Sequence, residues 1–394
     1  MSGIIVSGVG CCLVDLLYND ISFEGDNIKP YLSARRGDGG LTPGHLVFRE
    51  EFEMFAGRPL EDILKEMTGE RNPDKINIGG PSVVSLINIA QLIDKDHCEV
   101  RFYGRCGNDE QGRYLISALK KTPLVLKDFR QTDKPTPSTV VLSDPGYSNG
   151  NGERMFINSI AAAWEYGPDE LDNDFFNSDI VVFGGTALVP RIHDNLLSLL
   201  KKAKERKCIT VVNTVFDFRS EKSDPASKWP LGESDESYGF IDLLITDREE
   251  ALRLSGAKDI PSALRFFRNN NASSVIITNG SGNITSWSGG KLFKAGETFE
   301  MAVSKKVTDE LKNNRAGDTT GCGDNFAGGV IASLVTQIRA GIKQPDLKEA
   351  CSLGIVSGGF TCFYLGGTYF ENHPGEKRTK MEPYYNDYRR QIEG

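Results

Sequence analysis

The sequence predicts an α/β protein, a doubly wound and mostly parallel sheet with helices on both faces and a small second sheet beside it. Three observations predict this. Short apolar runs such as Ile4 to Gly10 and Ile180 to Gly185 read as buried parallel strands. Most such runs are followed by helical spacing, and strands alternating with helices imply right-handed parallel crossovers. Between residues 138 and 157, in contrast, two strand-like runs meet with no helix between them, which reads as a β-hairpin with a long loop.

Taken in order, the first strand ends in Gly8-Val9-Gly10, and Asp15 follows just beyond its C-terminal end, where open α/β sheets bind ligands. A dinucleotide fingerprint fails here, because Leu13 stands where a third glycine is needed and polar loop residues replace the start of a helix. Residues 20 to 75 show no sustained periodicity apart from one short helix at Leu60 to Met67, and an insertion of that length reads as a lid or binding flap, or as partly disordered. Ile76 to Pro81 gives a strand end and the Gly79-Gly80 turn, then a helix from Ser82 to Ile93. Two glycines before a helix permit close approach of a ligand, or simply make a tight turn. A strand over Glu99 to Tyr103, the turn Gly104 to Asp109 and a helix over Glu110 to Lys121 follow. Beyond the hairpin come the helix His193 to Arg206, strands at Ile209 to Asn213 and Asp242 to Ile245, and helices Asp247 to Ser255 and Ile260 to Asn270. A strand over Ser274 to Thr278 turns through Asn279 to Asn283 into Ile284 to Trp287. The C-terminal part reads as helices over Asn325 to Ile342, Leu347 to Tyr364 and Pro383 to Ile392, with a loose segment from Glu371 to Lys380.

Composition excludes several classes. The 394 residues are 39% hydrophobic and 25% charged, with a net charge of -8, which argues against a nucleic-acid partner needing a basic face. No uncharged apolar run reaches the roughly 18 residues of a membrane span, and the N-terminus lacks the basic region of a signal peptide. Eight scattered cysteines without a Cys-x-x-Cys pair fit reduced thiols in a cytoplasmic protein, and the four histidines lack zinc spacing.

The chemistry-bearing stretch is the loop Asp318-Thr319-Thr320-Gly321-Cys322-Gly323-Asp324, which opens a helix. Unpaired N–H groups and the positive end of the helix dipole favour negative charge there. An acid in the same turn repels a resting anion, so Asp324 suggests a proton acceptor beside a transferring phosphoryl group. The loop alone is equally a Gly-rich turn capped by an Asp. It is no Walker A loop, since no lysine follows its last glycine. Thr246 with Glu249 forms a capping box, while Asp247 and Glu250, three apart, share a helix face and suit a magnesium ion held through water.

These residues resemble the signature of pfkB-type, ribokinase-like carbohydrate kinases. The likeness rests on the seven residues from Asp318 to Asp324 with Phe326 and Gly328-Gly329, and continues through Asp15, Gly79-Gly80, Gly104 to Gly112, Asp247-x-x-Glu250 and Thr278-x-Gly280. It implies ATP-dependent phosphorylation of a sugar or nucleoside hydroxyl by a single domain spanning residues 1–394, with lid elements from about 16–75 and 130–158. It implies Asp324 as the base, the N–H groups of Gly321, Cys322 and Gly323 as the anion hole, and Asp15, Gly79 and Gly80 near the substrate hydroxyls. Asp247, Thr278 and Gly280 are expected against the nucleotide, Glu250 with Asp247 at magnesium, and Asp318 beside a monovalent cation such as potassium. A homodimer through the lid is a further expectation.

Three departures stand out: Asp247 where the family has Asn, Val84 where a polar substrate contact is usual, and a longer insertion between Asp15 and Gly79. The leading expectation is a sugar kinase. The alternatives are a nucleoside kinase of the adenosine-kinase type and a catalytically silent sugar or nucleotide sensor.

Overall fold

Aliphatic and β-branched runs form strands in two sheets. The computed structural model describes residues 3–393 apart from 36, 151 and 314–316; Met1 and the Asn314, Arg315 and Ala316 that head the Gly-rich loop lie outside the described residues. In chain order the strands are β1 (Ile4–Gly10), β2 (Leu13–Tyr18), β3 (Leu46–Phe48), β4 (Lys75–Gly79), β5 (Cys98–Gly107), β6 (Val125–Thr132), β7 (Ser138–Asp144), β8 (Glu153–Ser159), β9 (Ile180–Gly184), β10 (Ile209–Asn213), β11 (Leu243–Asp247), β12 (Ser274–Thr278), β13 (Ile284–Ser288) and β14 (Gly296–Met301).

The larger sheet runs β14-β13-β12-β11-β10-β9-β1-β5-β6. It is parallel from β6 to β12, and the hairpin β12–β13 adds an antiparallel edge. Alternate side chains feed two cores, as a period of two requires. Val6, Val100, Val182 and Val211 face helices Pro81–Leu92, Cys322–Arg339 and Leu347–Thr361. Val9, Val181, Phe183 and Leu244 face helices Leu196–Glu205 and Ile260–Asn269. The small residues of Leu347–Thr361 serve close packing: a side-chain carbon at Gly354 would lie 2.6 Å from Val330.

The second sheet has the order β3-β8-β7-β2-β4. Leu16, Tyr18, Val140, Leu142, Met155 and Ile157 line one face and pack under the insertion, against Phe52, Leu60, Ile63 and Met67.

Several sequence expectations change. β1 passes through Cys11-Cys12 directly into β2, so Asp15 stands within a strand of the second sheet rather than in a loop beyond β1. Strand β5 continues through Gly107, absorbing most of the expected turn at 104–109. The insertion carries a helix, Arg49–Ala56, that its weak periodicity hid. Strands β3, β6 and β14 are not expected from the sequence pattern, and β14 is mostly polar and exposed because it forms the sheet edge. The segment expected to be loose belongs in part to helix Glu376–Glu393, which tolerates Pro383 and buries Lys377.

Candidate active site

The Gly-rich loop owes its path to contacts with a distant turn. Gly321, at φ 74°, occupies the left-handed region and is the N-cap of helix Cys322–Arg339. A side-chain carbon there would lie 2.5 Å from Gly367, and one at Gly317 would lie 2.3 Å from the Cys362 carbonyl. Gly323 meets neither constraint; space is open around it, as a ligand requires. The Cys322 N–H makes a long bond to the Thr319 carbonyl at 3.3 Å, and the helical ladder starts with Asn325 N–H donating to Gly321 at 2.9 Å. Asp318 accepts from Thr320 N–H (3.0 Å), the Thr320 hydroxyl (3.0 Å) and Gly366 N–H (3.2 Å). Asn77 donates to the Leu365 and Thr368 carbonyls, tying β4 to the same C-terminal turn.

Asp324 stands in the first turn of the helix, half-buried, and burial pushes its carboxyl up to about 7. Asp15 faces it from β2. Burial foremost, then the negative charges of Asp318 and Asp324, push Asp15 up to about 8, and Arg154 opposes them. A side-chain carbon at Gly79 would fall 2.2 Å from the Asp15 carboxylate, which accounts for that glycine. Gly80, at φ 109°, packs on the Cys11 carbonyl, where a Cβ would lie at 2.3 Å.

The strand registers extend Asp15 into a row. Asn77 pairs with Asp15, Asp15 with Thr139, Thr139 with Asn158, and Asn158 with Phe48, across all five strands of the second sheet. Directly paired residues share a face, so this row lies opposite the insertion-covered face. Asn158 donates to Thr139 at 2.8 Å, while its buried Oδ1 lacks a hydrogen-bond partner. An unpaired buried acceptor suits a ligand hydroxyl.

Two residues here escaped sequence reading. Arg154, on β8 between the core residues Met155 and Ile157 and the turn, donates to the Thr320 hydroxyl at 2.6 Å and the Thr319 hydroxyl at 2.7 Å. Its alternation with Met155 would have placed it on the face away from the core, but not against residues 319–320. Lys377, 1% exposed, donates to Asn325 Oδ1 at 2.7 Å, and burial pushes its ammonium down to about 7 against the pull of Glu371. Asn325 in turn donates to Gly321 (2.9 Å) and Gly367 (2.8 Å), so Lys377 braces the loop from behind. Val84 is buried and packs toward Gly367, 3.3 Å from a carbon added there, a brace instead of a polar contact.

The Asp247 end of the candidate site is built locally. The capping box is Asp247 with Glu250, not Thr246 with Glu249: Glu250 N–H donates to Asp247 Oδ1 at 2.8 Å and Asp247 N–H to Glu250 Oε2 at 3.2 Å. β11 runs to Asp247, two residues beyond the strand end the sequence pattern suggests, and the cap moves one residue on, from Thr246 to Asp247. Thr214 also donates to Glu250, and burial with the neighbouring Asp247 charge pushes Glu250 up to about 8. Asp247, Thr278 and Gly280 border one shallow depression. Among the described residues no three His, Cys, Asp or Glu side chains come together as a direct metal cage.

The pfkB family carbohydrate kinase model matches residues 74–373 of this chain. The chain belongs to this family. It is therefore a kinase, a phosphotransferase of the carbohydrate-kinase type. A probable fructokinase-4 of Arabidopsis thaliana is 24% identical over 288 residues, covering 70% of this chain and 79% of that one. The 5-dehydro-2-deoxygluconokinase of Photobacterium profundum is 26% identical over 316 residues, covering 75% and 89%. The fold is ribokinase-like. Adenosine kinase from Sinorhizobium meliloti superposes with a TM-score of 0.68 at 18% identity over 97% of this chain and 99% of that one. Ribokinase from Thermotoga maritima does so at 0.60 and 16% over 97% and 99%. No helix among the described residues is long and apolar enough to cross a membrane.

Proposed function

We propose that this pfkB-family kinase transfers the γ-phosphoryl group of ATP to a hydroxyl of a sugar, with Asp324 as general base. The observation that carries the reading is the facing pair: a base at the mouth of an N–H-rich loop and a polar row from Asp15 through Thr139 to Asn158. The row binds substrate hydroxyls with Gly79 and Gly80 beneath it, and Asp324 takes the proton of the attacking one. A base held near 7 matches proton acceptance at neutral pH. Gly321, Cys322 and Gly323 present backbone N–H groups to the moving phosphoryl group, and Arg154 adds a positive charge above them.

ATP lies along Asp247, Thr278 and Gly280. Asp247 would hold magnesium through water, with the engaged Glu250 orienting that corner, and the ion would supply neutralisation of phosphate charge. Potassium beside Asp318, a lid formed by about residues 16–75 and 130–158 on a single kinase domain, a homodimer through that lid and a cytoplasmic location extend the same reading.

A nucleoside is the second reading. Phe48 ends the polar row, 5.9 Å from the ring of Phe218, itself 4.6 Å from Phe216, and all three border a groove between the insertion and residues 216–225. A flat base could stack there while its ribose meets Asp15. ADP release across a panel of sugars and nucleosides tests both. Turnover with sugars alone supports the first reading, and turnover confined to nucleosides replaces it with the second. ATP binding without ADP release from any acceptor would leave a sensor.

A further inference from the structure

Cys322 lies at the centre of the phosphate-facing turn, and its Sγ is 3.5 Å from the Sγ of Cys362. Six of the eight cysteines are buried; these two are half-exposed. Cys362 is the C-cap of helix Leu347–Thr361 and heads the turn through Gly367 that cradles the loop. A disulfide needs about 2.05 Å between sulfurs, so the pair has only about 1.5 Å to close. The hydrogen bond to Cys362 and burial hold the Cys322 thiol well above its ordinary value; the Arg154 guanidinium favours the thiolate form of both sulfurs, while Asp318 opposes it. A hydrogen bond from Cys322 stabilises the Cys362 thiolate and lowers its pKa, which marks Cys362 as the more readily ionised sulfur.

We propose that Cys322 and Cys362 form a reversible redox pair, closed by a peroxide, that switches the kinase off through its phosphate-facing loop. The effect on turnover rests on the function proposed above; the bond itself does not. The Cys362 thiolate attacks one peroxide oxygen, the O–O bond breaks, and the second oxygen leaves as hydroxide and is protonated to water. Cys362 is then a sulfenic acid. Cys322 gives up its proton as its sulfur attacks that of Cys362, the S–S bond forms, and the leaving hydroxide takes up that proton to become a second water. Two thiols lose two electrons and two protons, and one peroxide is reduced to two waters. Drawing the Cys322 side chain toward Cys362 displaces the first turn of helix Cys322–Arg339, which carries Asp324 and the Gly323 N–H. Losing one such oriented donor costs about 10²–10³-fold in turnover.

The test uses the full chain, reduced, then treated with hydrogen peroxide, alkylated and mapped by mass spectrometry, with phosphoryl transfer measured on the same sample. The expected result is a Cys322–Cys362 linked peptide and a loss of at least about 10²-fold in turnover, both reversed by dithiothreitol. Cys362→Ser, with Cys362→Ala as a second choice should it fold poorly, keeps its reduced activity and shows neither change. Absence of the linked peptide from folded wild-type protein overturns the pair, and a linked peptide with unchanged turnover overturns the switch. A linked peptide in protein that transfers no phosphoryl group even when reduced supports the pair and counts against the kinase mechanism instead.

Discussion

The Asp247 end and the Asp324 end of the candidate site are made in opposite ways. The Asp247 end is local: one capping box, one threonine from the neighbouring strand and one hairpin turn hold it. The Asp324 end is assembled from segments far apart in the chain, namely Asp15, Asn77, Arg154, Gly366-Gly367 and Lys377. On the proposed function the Asp247 end only holds a nucleotide, which tolerates local construction. On the same proposal the Asp324 end fixes a base, an acceptor hydroxyl and a phosphoryl group to sub-ångström geometry, which needs bracing from several directions.

Breaking the braced end should cost most. Asp324→Asn is expected to lower kcat by about 10²–10⁴-fold while ATP binding, measured by calorimetry, stays within about twofold. Near-normal turnover would remove Asp324 from the role of base. Arg154→Met should follow, with kcat falling by about 10²-fold. Arg154→Lys should recover only part of that loss, because one ammonium cannot span two hydroxyls as a planar guanidinium does. Gly321→Ala combines a left-handed backbone with an overlap against Gly367, and chemical denaturation should report a loss of about 1–3 kcal/mol.

The braced end also sets a pH signature. Asp15, at about 8, and Asp324, at about 7, stay protonated in the fold where the unfolded chain, at 3.8, has ionised. Their contribution to stability is present below about pH 4 and is lost as pH rises through their folded values. Lys377, lowered from 10.5 to about 7, works the other way but only above about pH 7. Between about pH 5 and 7 the melting temperature of Asp324→Asn should therefore rise relative to wild type; parallel curves would mean that the carboxyl titrates normally. At the local end, Asp247→Asn restores the residue usual in the family and keeps an equally good N-cap. Stability should change by less than about 0.5 kcal/mol, with any effect confined to the magnesium dependence of KM.

The contrast also divides what could be read in advance. Asp324, the Gly321–Gly323 turn, Asp247 and Glu250 are legible as candidates because each sits in a short stretch where strand, turn and helix signals adjoin. Even there the cap fell one residue from its expected place, since a strand end is set by its neighbours' register. The insertion was seen as a covering element but not as helix Arg49–Ala56, whose side chains become amphipathic only against the core of the second sheet.

By itself, then, the sequence determined the alternation of strands and helices, and the resemblance of its loop motif pointed to a kinase of this family. The alternation follows from periodicity, and the motif is legible because its residues are adjacent along one chain. Only the tertiary structure decided that Asn77, Asp15, Thr139, Asn158 and Phe48 stand in one row, that Arg154 reaches the two threonines, and that Cys322 meets Cys362. Each of those depends on register between strands or on contact between segments tens to hundreds of residues apart, and local propensity carries no information about either.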